Sequence, residues 1–409
     1  MTICLKNMSI ITLCALLIVN LNGVFLTQNG FRENNFFNVD PEVFMNSTQL
    51  ITSKGYPCEN HYVETKDGFI LNMQRIPHGR TGTNQKGEKP VVMLQHGLLG
   101  SSSNFLDNPA SESLAYILAD AGVDVWLGNV RGNVYSRAHK HLKPSDEKFW
   151  EWSYDEMAKY DLPAMVDRIL SVTGKRQIYY VGHSQGTMIG FSGFSQNKQL
   201  GSKIKLFIAL APVATVGHIE SPVKYLAPYA KYLDLFADLF GKYEFLPHTD
   251  ISTFLGSKLC DKIGLDVVCE NIFFIIGGFN KKAMNVSRVQ VYAAHNPAGT
   301  SVQNMEHFAQ GVNHDKFQMY DYGTQDANMA HYGQVTPPQY HVAEMETPVV
   351  LFSGSHDFLA DPTDVNWLAP QLKNMRAHHV IPEWEHLDFI FATDAPQKCY
   401  NKIKSLILS

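Results

Sequence analysis

Lysines and arginines are nowhere gathered into a run in this chain, and its formal net charge at pH 7 is −5. Binding a phosphate backbone requires a concentrated basic face, so no nucleic acid is expected as a partner. Long apolar runs are equally scarce. The one near the N-terminus, from about Met8 to Val19 behind Lys6, has the length of a signal-peptide core and is short for a membrane span. Residues 1–24 are therefore expected to be a signal peptide. No other segment approaches the roughly 18 uninterrupted apolar residues that a crossing helix needs, so no integral span is expected in the mature chain, which should be secreted or luminal. Internal repeats and low-complexity tracts are also missing. Cysteine is sparse, at 6. Cys4 and Cys14 would leave with the signal, and Cys58, Cys260, Cys269 and Cys399 would remain in an oxidising compartment. Cys260 and Cys269 are close enough for a local disulfide, while Cys58 and Cys399 either pair or stay free. No second ligand pair at the usual spacing accompanies them, so no metal is expected.

What the chain does have is apolar bulk. Its 409 residues, 45% hydrophobic, can bury a large core and suit one α/β domain with an insertion or two ordinary domains. Histidine is abundant, at 17. Full protonation near pH 5, with carboxylates still ionised, would swing the formal charge to about +12, an upper bound from ordinary pKa values. The triplets at Asn46-Ser47-Thr48 and Asn285-Val286-Ser287 are glycosylation sequons, meaningful only in a luminal or secreted chain.

The stretch VGHSQGTMIG sets Ser184 between Gly182 and Gly186. A tight turn alone would explain the glycines, but the flanks narrow the reading. Gln177 to Val181 is a β-branched and aromatic strand pattern, and Gly186 to Phe191 can enter a helix, giving the strand–turn–helix context of a nucleophile elbow. A serine nucleophile needs a base and a group that orients the base. Pro348 to Phe352 reads as a buried strand running into Ser353-Gly354-Ser355-His356-Asp357, and His379 to Ile381 reads as a strand followed by a loop carrying His386. Asp357, nearest its strand end, is the expected acid and His386 the expected base, with Asp361, Asp364 and Asp388 as rival acids and His356, His378 and His379 as rival bases. The order Ser184, Asp357, His386 follows the order general to α/β-hydrolases. Oxyanion donors are expected from the backbone amide of Gln185, just after the serine, and from that of Leu98 in the loop His96-Gly97-Leu98-Leu99-Gly100.

Strand patterns at about 61–76, 90–96, 123–128, 177–182, 204–211, 348–353 and 378–382 alternate with helical patterns at about 109–121, 154–173 and 186–198. This predicts an α/β fold with a mostly parallel, doubly wound sheet. The interval from about Val216 to Pro338 breaks the alternation. Tyr225 to Tyr229 and Tyr232 to Phe240 read as amphipathic helices, and Asn271 to Phe279 is nearly all apolar. Such stripes suit plain core packing; placed between the nucleophile strand and the acid strand, they also suit a mainly helical cap with a lid. The expected organisation is a core over 25–215, a cap over 216–337 and a return to the core over 338–409.

The segments His96 to Leu99, Phe149-Trp150-Glu151-Trp152-Ser153-Tyr154-Asp155-Glu156-Met157, Gly182-His183-Ser184-Gln185-Gly186, His295-Asn296-Pro297-Ala298-Gly299-Thr300-Ser301 and His386-Leu387-Asp388-Phe389 resemble the acid lipase family, which includes gastric and lysosomal acid lipases. The resemblance covers nearly the whole chain from about Val39. It implies a glycosylated α/β-hydrolase, secreted or lysosomal, that cleaves neutral lipid esters (triacylglycerol, possible cholesteryl esters) at a lipid–water interface with no cofactor. Carried over by residue, it implies the triad Ser184, Asp357 and His386, oxyanion amides at Leu98 and Gln185, and a Cys260–Cys269 disulfide. One departure is that the family carries a further cysteine where this chain has Gly277. A short-chain esterase, an acyltransferase or a non-catalytic lipid-binding protein on the same fold are the alternatives.

Overall fold

Strands β1 (Glu59–Glu64), β2 (Phe69–Ile76), β3 (Val91–Gln95), β4 (Asp124–Gly128), β5 (Ala138–His139), β6 (Ile178–His183) and β7 (Ile204–Leu210) precede the interrupting interval. A two-residue pair, β8 (Glu244–Phe245) and β9 (Thr300–Ser301), lies within it, and β10 (Val349–Gly354) and β11 (Met375–Ile381) follow. The computed structural model describes residues 39–82, 89–225, 227, 243–247, 277, 278, 280 and 282–409. The segment expected to be a signal peptide, Cys260, Cys269 and most of the stretch 217–254 lie outside these residues.

Every residue of β3, β4, β6 and β10 is buried. Strands covered on both faces read as continuous apolar runs, and these belong to a parallel sheet. The sheet order is β1-β2-β4-β3-β6-β7-β10-β11, with β5 on β2. From β4 to β11 every pairing is parallel, while β1–β2, β2–β4 and β2–β5 are antiparallel. The single strand expected over 61–76 is thus two. Thr65 and Gly68 close a turn between them, with the Thr65 N–H bonded to Phe69 O at 2.8 Å and Gly68 at φ +99°. Asp67-Gly68 is the turn signal that a continuous reading overlooks. The helix expected over 109–121 starts only at Leu114, and that over 154–173 passes through a π turn at Met157–Asp161 before α1 (Leu162–Thr173).

Parallel register carries the strand ends to one edge. Gln95 pairs with Gly182, His183 with Leu210, Leu210 with Phe352, and Gly354 with Ile381. The loops that follow β3, β6, β10 and β11 therefore leave the sheet side by side, where open α/β sheets bind ligands.

The turn after β6 shows why glycine is needed on both sides of Ser184. A Cβ on Gly182 would lie 2.6 Å from Gly186 O, and one on Gly186 would lie 2.5 Å from Gln95 O. Backbone presses on backbone at both places. Gly186→Ala is therefore expected to force α2 (Gln185–Gln196) off β3 and cost about 1–3 kcal/mol of stability, as overpacking does. Urea unfolding checks this; an unchanged midpoint would mean that the helix yields freely.

Candidate active site

Ser184 sits between β6 and α2 with φ +55° and ψ −121°, a conformation that side-chain-bearing residues rarely adopt. Its N–H is tied to Leu210 O at 3.0 Å. The residue is 8% exposed, the most open of the three that meet here. His386 Nε2 lies 2.7 Å from Ser184 Oγ, and His386 Nδ1 lies 3.0 Å from both carboxylate oxygens of Asp357. Asp357 is held in turn, its Oδ1 accepting the Leu359 and Ala360 N–H groups at 2.9 and 2.8 Å. Since the carboxylate only accepts, Nδ1 carries the imidazole proton and Nε2 is left with a lone pair facing the serine hydroxyl.

The rivals are engaged elsewhere. Asp361 accepts from Thr363 N and caps the helix α3 (Pro362–Leu368), and Asp364 accepts from Thr215 Oγ1 and His218 N. His378 bonds Ser353 Oγ, His379 packs on Phe352, and His356 is exposed. Asp388 accepts the Glu385 N–H at 2.7 Å and an Asn280 Nδ2 hydrogen at 2.9 Å, so it shapes the turn that carries His386.

Burial pushes the Asp388 pKa up to about 7, against the pull of those two donors. A carboxyl whose folded pKa is raised contributes stability that is full below its ordinary value and lost as pH rises through the folded value. Asp388→Asn removes that titration, so wild type should lose ground to the variant between pH 4 and 7, by at most about 4 kcal/mol. Urea unfolding of both at pH 5 and pH 8 checks it; a constant difference would refute it.

His183, one residue before the serine, places Nε2 3.0 Å from the His386 carbonyl. Burial, then the nearby His386, push its pKa down to about 3, so it stays neutral and donates. Gln185 is fixed through its side chain: Oε1 accepts from Asn304 Nδ2 at 3.1 Å, and Nε2 points at Met157 Sδ, inside the π turn. Asn304 stands on the helix Val302–His314, and no local pattern in the sequence announces this link across 119 positions.

The Gly97–Leu98 peptide lies against the serine, because a Cβ on Gly97 would meet Ser184 Cβ at 2.8 Å. Among the described residues, neither the Leu98 N–H nor the Gln185 N–H donates to a backbone acceptor. The arrangement thus joins a buried lone-pair base, a hydroxyl and two uncommitted amides, the set needed to add a hydroxyl to a carbonyl.

Three sequence expectations lie off this site. Asn46 is exposed and caps the helix Ser47–Ser53; Asn285 donates to Glu112 and accepts from Ser287 Oγ. Cys58 and Cys399 are free thiols. A Cβ on Gly277 would lie 2.8 Å from Leu387, beside the His386 turn. No described helix is long and apolar enough to cross a membrane.

The family described as alpha/beta hydrolase fold matches residues 90–393, and a partial alpha/beta-hydrolase lipase region matches residues 47–109. The chain is 53% identical over 369 residues to a lysosomal acid lipase/cholesteryl ester hydrolase of Homo sapiens, covering 90% of this chain and 92% of that one. It is 51% identical over 368 residues to a gastric triacylglycerol lipase of Rattus norvegicus, covering 90% and 93%. A solved soluble variant of the monoglyceride lipase of Saccharomyces cerevisiae, bound to a substrate analog, superposes with a TM-score of 0.52 at 14% identity, covering 86% of this chain and 94% of that one.

Proposed function

The chain belongs to the acid lipase family of the α/β-hydrolase fold, and from that premise we propose that it hydrolyses neutral lipid esters through an acyl-enzyme on Ser184. The observation that carries the reading is the single imidazole bridging Ser184 Oγ at 2.7 Å and Asp357 at 3.0 Å. His386 Nε2 takes the hydroxyl proton as Oγ adds to the ester carbonyl. Asp357 holds the ring and balances the imidazolium. The Leu98 and Gln185 amides donate to the oxyanion. Collapse expels the alcohol, which takes the proton from His386, and water repeats the sequence to release the fatty acid.

Residues 216–337 form a cap in this reading, with a lid in 217–254. Two features support it. Tyr225 is 70% exposed, and the Glu220 N–H bonds Phe358 O at 2.9 Å, beside Asp357. A lid that hides the site in water and opens against lipid would make the rate climb once a sparingly soluble ester passes its solubility limit and forms droplets. A rate curve that saturates smoothly through that limit, with micelles leaving hydrogen exchange of 217–254 unchanged, would exclude the lid. The sequons at Asn46 and Asn285 and the N-terminal apolar stretch support a luminal or secreted site of action. The test of substrate class is a panel of emulsified triacylglycerol, cholesteryl ester and a short soluble ester across pH; a chain active on the soluble ester alone would be an esterase.

A further inference from the structure

We propose that His96 is a positioning residue for this reaction: its imidazole holds the Gly97 carbonyl and thereby aims the Leu98 N–H of the same peptide at the oxyanion. The proposal rests on the serine-lipase reading above and adds to it the group that sets one oxyanion donor.

The need for such a group follows from Gly97. A side chain there would strike Ser184, so the position must be glycine, and glycine leaves its backbone the freest to rotate. Rotation of the Gly97–Leu98 peptide would turn its N–H away from the site. A peptide unit is planar, with C=O and N–H pointing in opposite directions, so holding one end orients the other. Gly97 O is held twice, by His96 Nδ1 at 2.8 Å and by the Gly100 N–H at 3.2 Å.

The imidazole has no alternative arrangement. Gly97 O can only accept, so Nδ1 carries the proton. On the other side Nε2 receives the Val130 N–H at 3.3 Å and faces Asn133 Nδ2 at 3.1 Å. Asn133 cannot flip, because its Oδ1 accepts from Tyr135 N and its Nδ2 also donates to Asn129 Oδ1, both at 3.0 Å. Asn129 is anchored in turn to Gln74 Oε1 and to the Asn72 carbonyl. A buried polar chain therefore runs from β2 through the loop after β4 to the oxyanion peptide. Burial pushes the His96 pKa down to about 4, which keeps the ring neutral and its single proton on Nδ1.

Two isosteres separate this role from mere packing. Asparagine places an N–H near Nδ1 and leaves the Nε2 side empty; glutamine reaches the Nε2 side and leaves Gly97 O with only the longer bond from the Gly100 N–H. On a soluble p-nitrophenyl ester, which needs no lipid interface, His96→Asn should stay within about fivefold of wild type in kcat. His96→Gln should fall about 10- to 100-fold with KM nearly unchanged, somewhat less than outright loss of an oxyanion donor. Equal losses, an unaffected glutamine variant, or a loss confined to KM would overturn the proposal. If His96→Gln does not fold, Asn133→Ala leaves the histidine in place but loosens its ring and should lower kcat several-fold; unchanged kcat would again overturn it. A fluorophosphonate probe on wild type keeps the two readings apart. Failure to label Ser184 overturns both, whereas labelled Ser184 with flat kinetics across the His96 variants overturns this proposal alone.

Discussion

Replacing Ser184 by alanine is expected to lower kcat for a soluble ester by about 10⁶, with the fold intact. Among the described residues the hydroxyl makes one side-chain hydrogen bond, to His386, so its removal subtracts chemistry and little packing. The backbone at +55° is strained for any residue with a Cβ, and Ser184→Gly should relieve part of that strain. The glycine variant is thus expected to be as inactive as the alanine variant but more stable in urea. Activity within tenfold of wild type in either variant would mean that another group attacks the ester.

Asp357→Asn should lower kcat by about 10⁴, by analogy with serine proteases. The Leu359 and Ala360 N–H groups converge on one carboxylate oxygen, so an asparagine would turn its amide oxygen to them and its NH₂ towards His386 Nδ1. The imidazole would then carry its proton on Nε2, facing Ser184, and could not accept the hydroxyl proton. Steady-state kinetics of this variant beside Asp361→Asn and Asp364→Asn test the assignment. A larger loss in either of those would place the acid elsewhere, against their present ties to Thr363, Thr215 and His218.

The parallel sheet was legible because its strands are buried on both faces and leave unbroken apolar runs, as in IYYVGH and VVLFSG. Ser184 and Asp357 stood out because each follows such a run, and His386 because it follows the shorter strand signal His379 to Ile381 on the edge strand β11, where Ile381 alone is buried. Parallel register brings the ends of these strands together. Two kinds of feature were not legible. One is local geometry set by a single pair of residues, such as the Asp67-Gly68 turn that splits one expected strand into two. The other is polar contact between segments far apart in the chain. Asn304 on Gln185 and Asn133 on His96 have no periodicity to betray them, since a buried amide is selected by the partner it meets only after folding. The raised pKa of Asp388 belongs with these, because burial causes it and burial is a property of the assembled turn.

Covalent capture tests the central claim most directly. In the wild-type chain Ser184 Oγ should displace fluoride from the phosphorus of a fluorophosphonate, giving its proton to His386, to form one phosphonyl ester per molecule, located by mass spectrometry of the digested protein on the peptide carrying Ser184. The same treatment should leave His386→Ala nearly unmodified and Ser184→Ala unmodified. An adduct on another residue, or undiminished ester hydrolysis by a chain that takes up no probe at Ser184, would contradict the account.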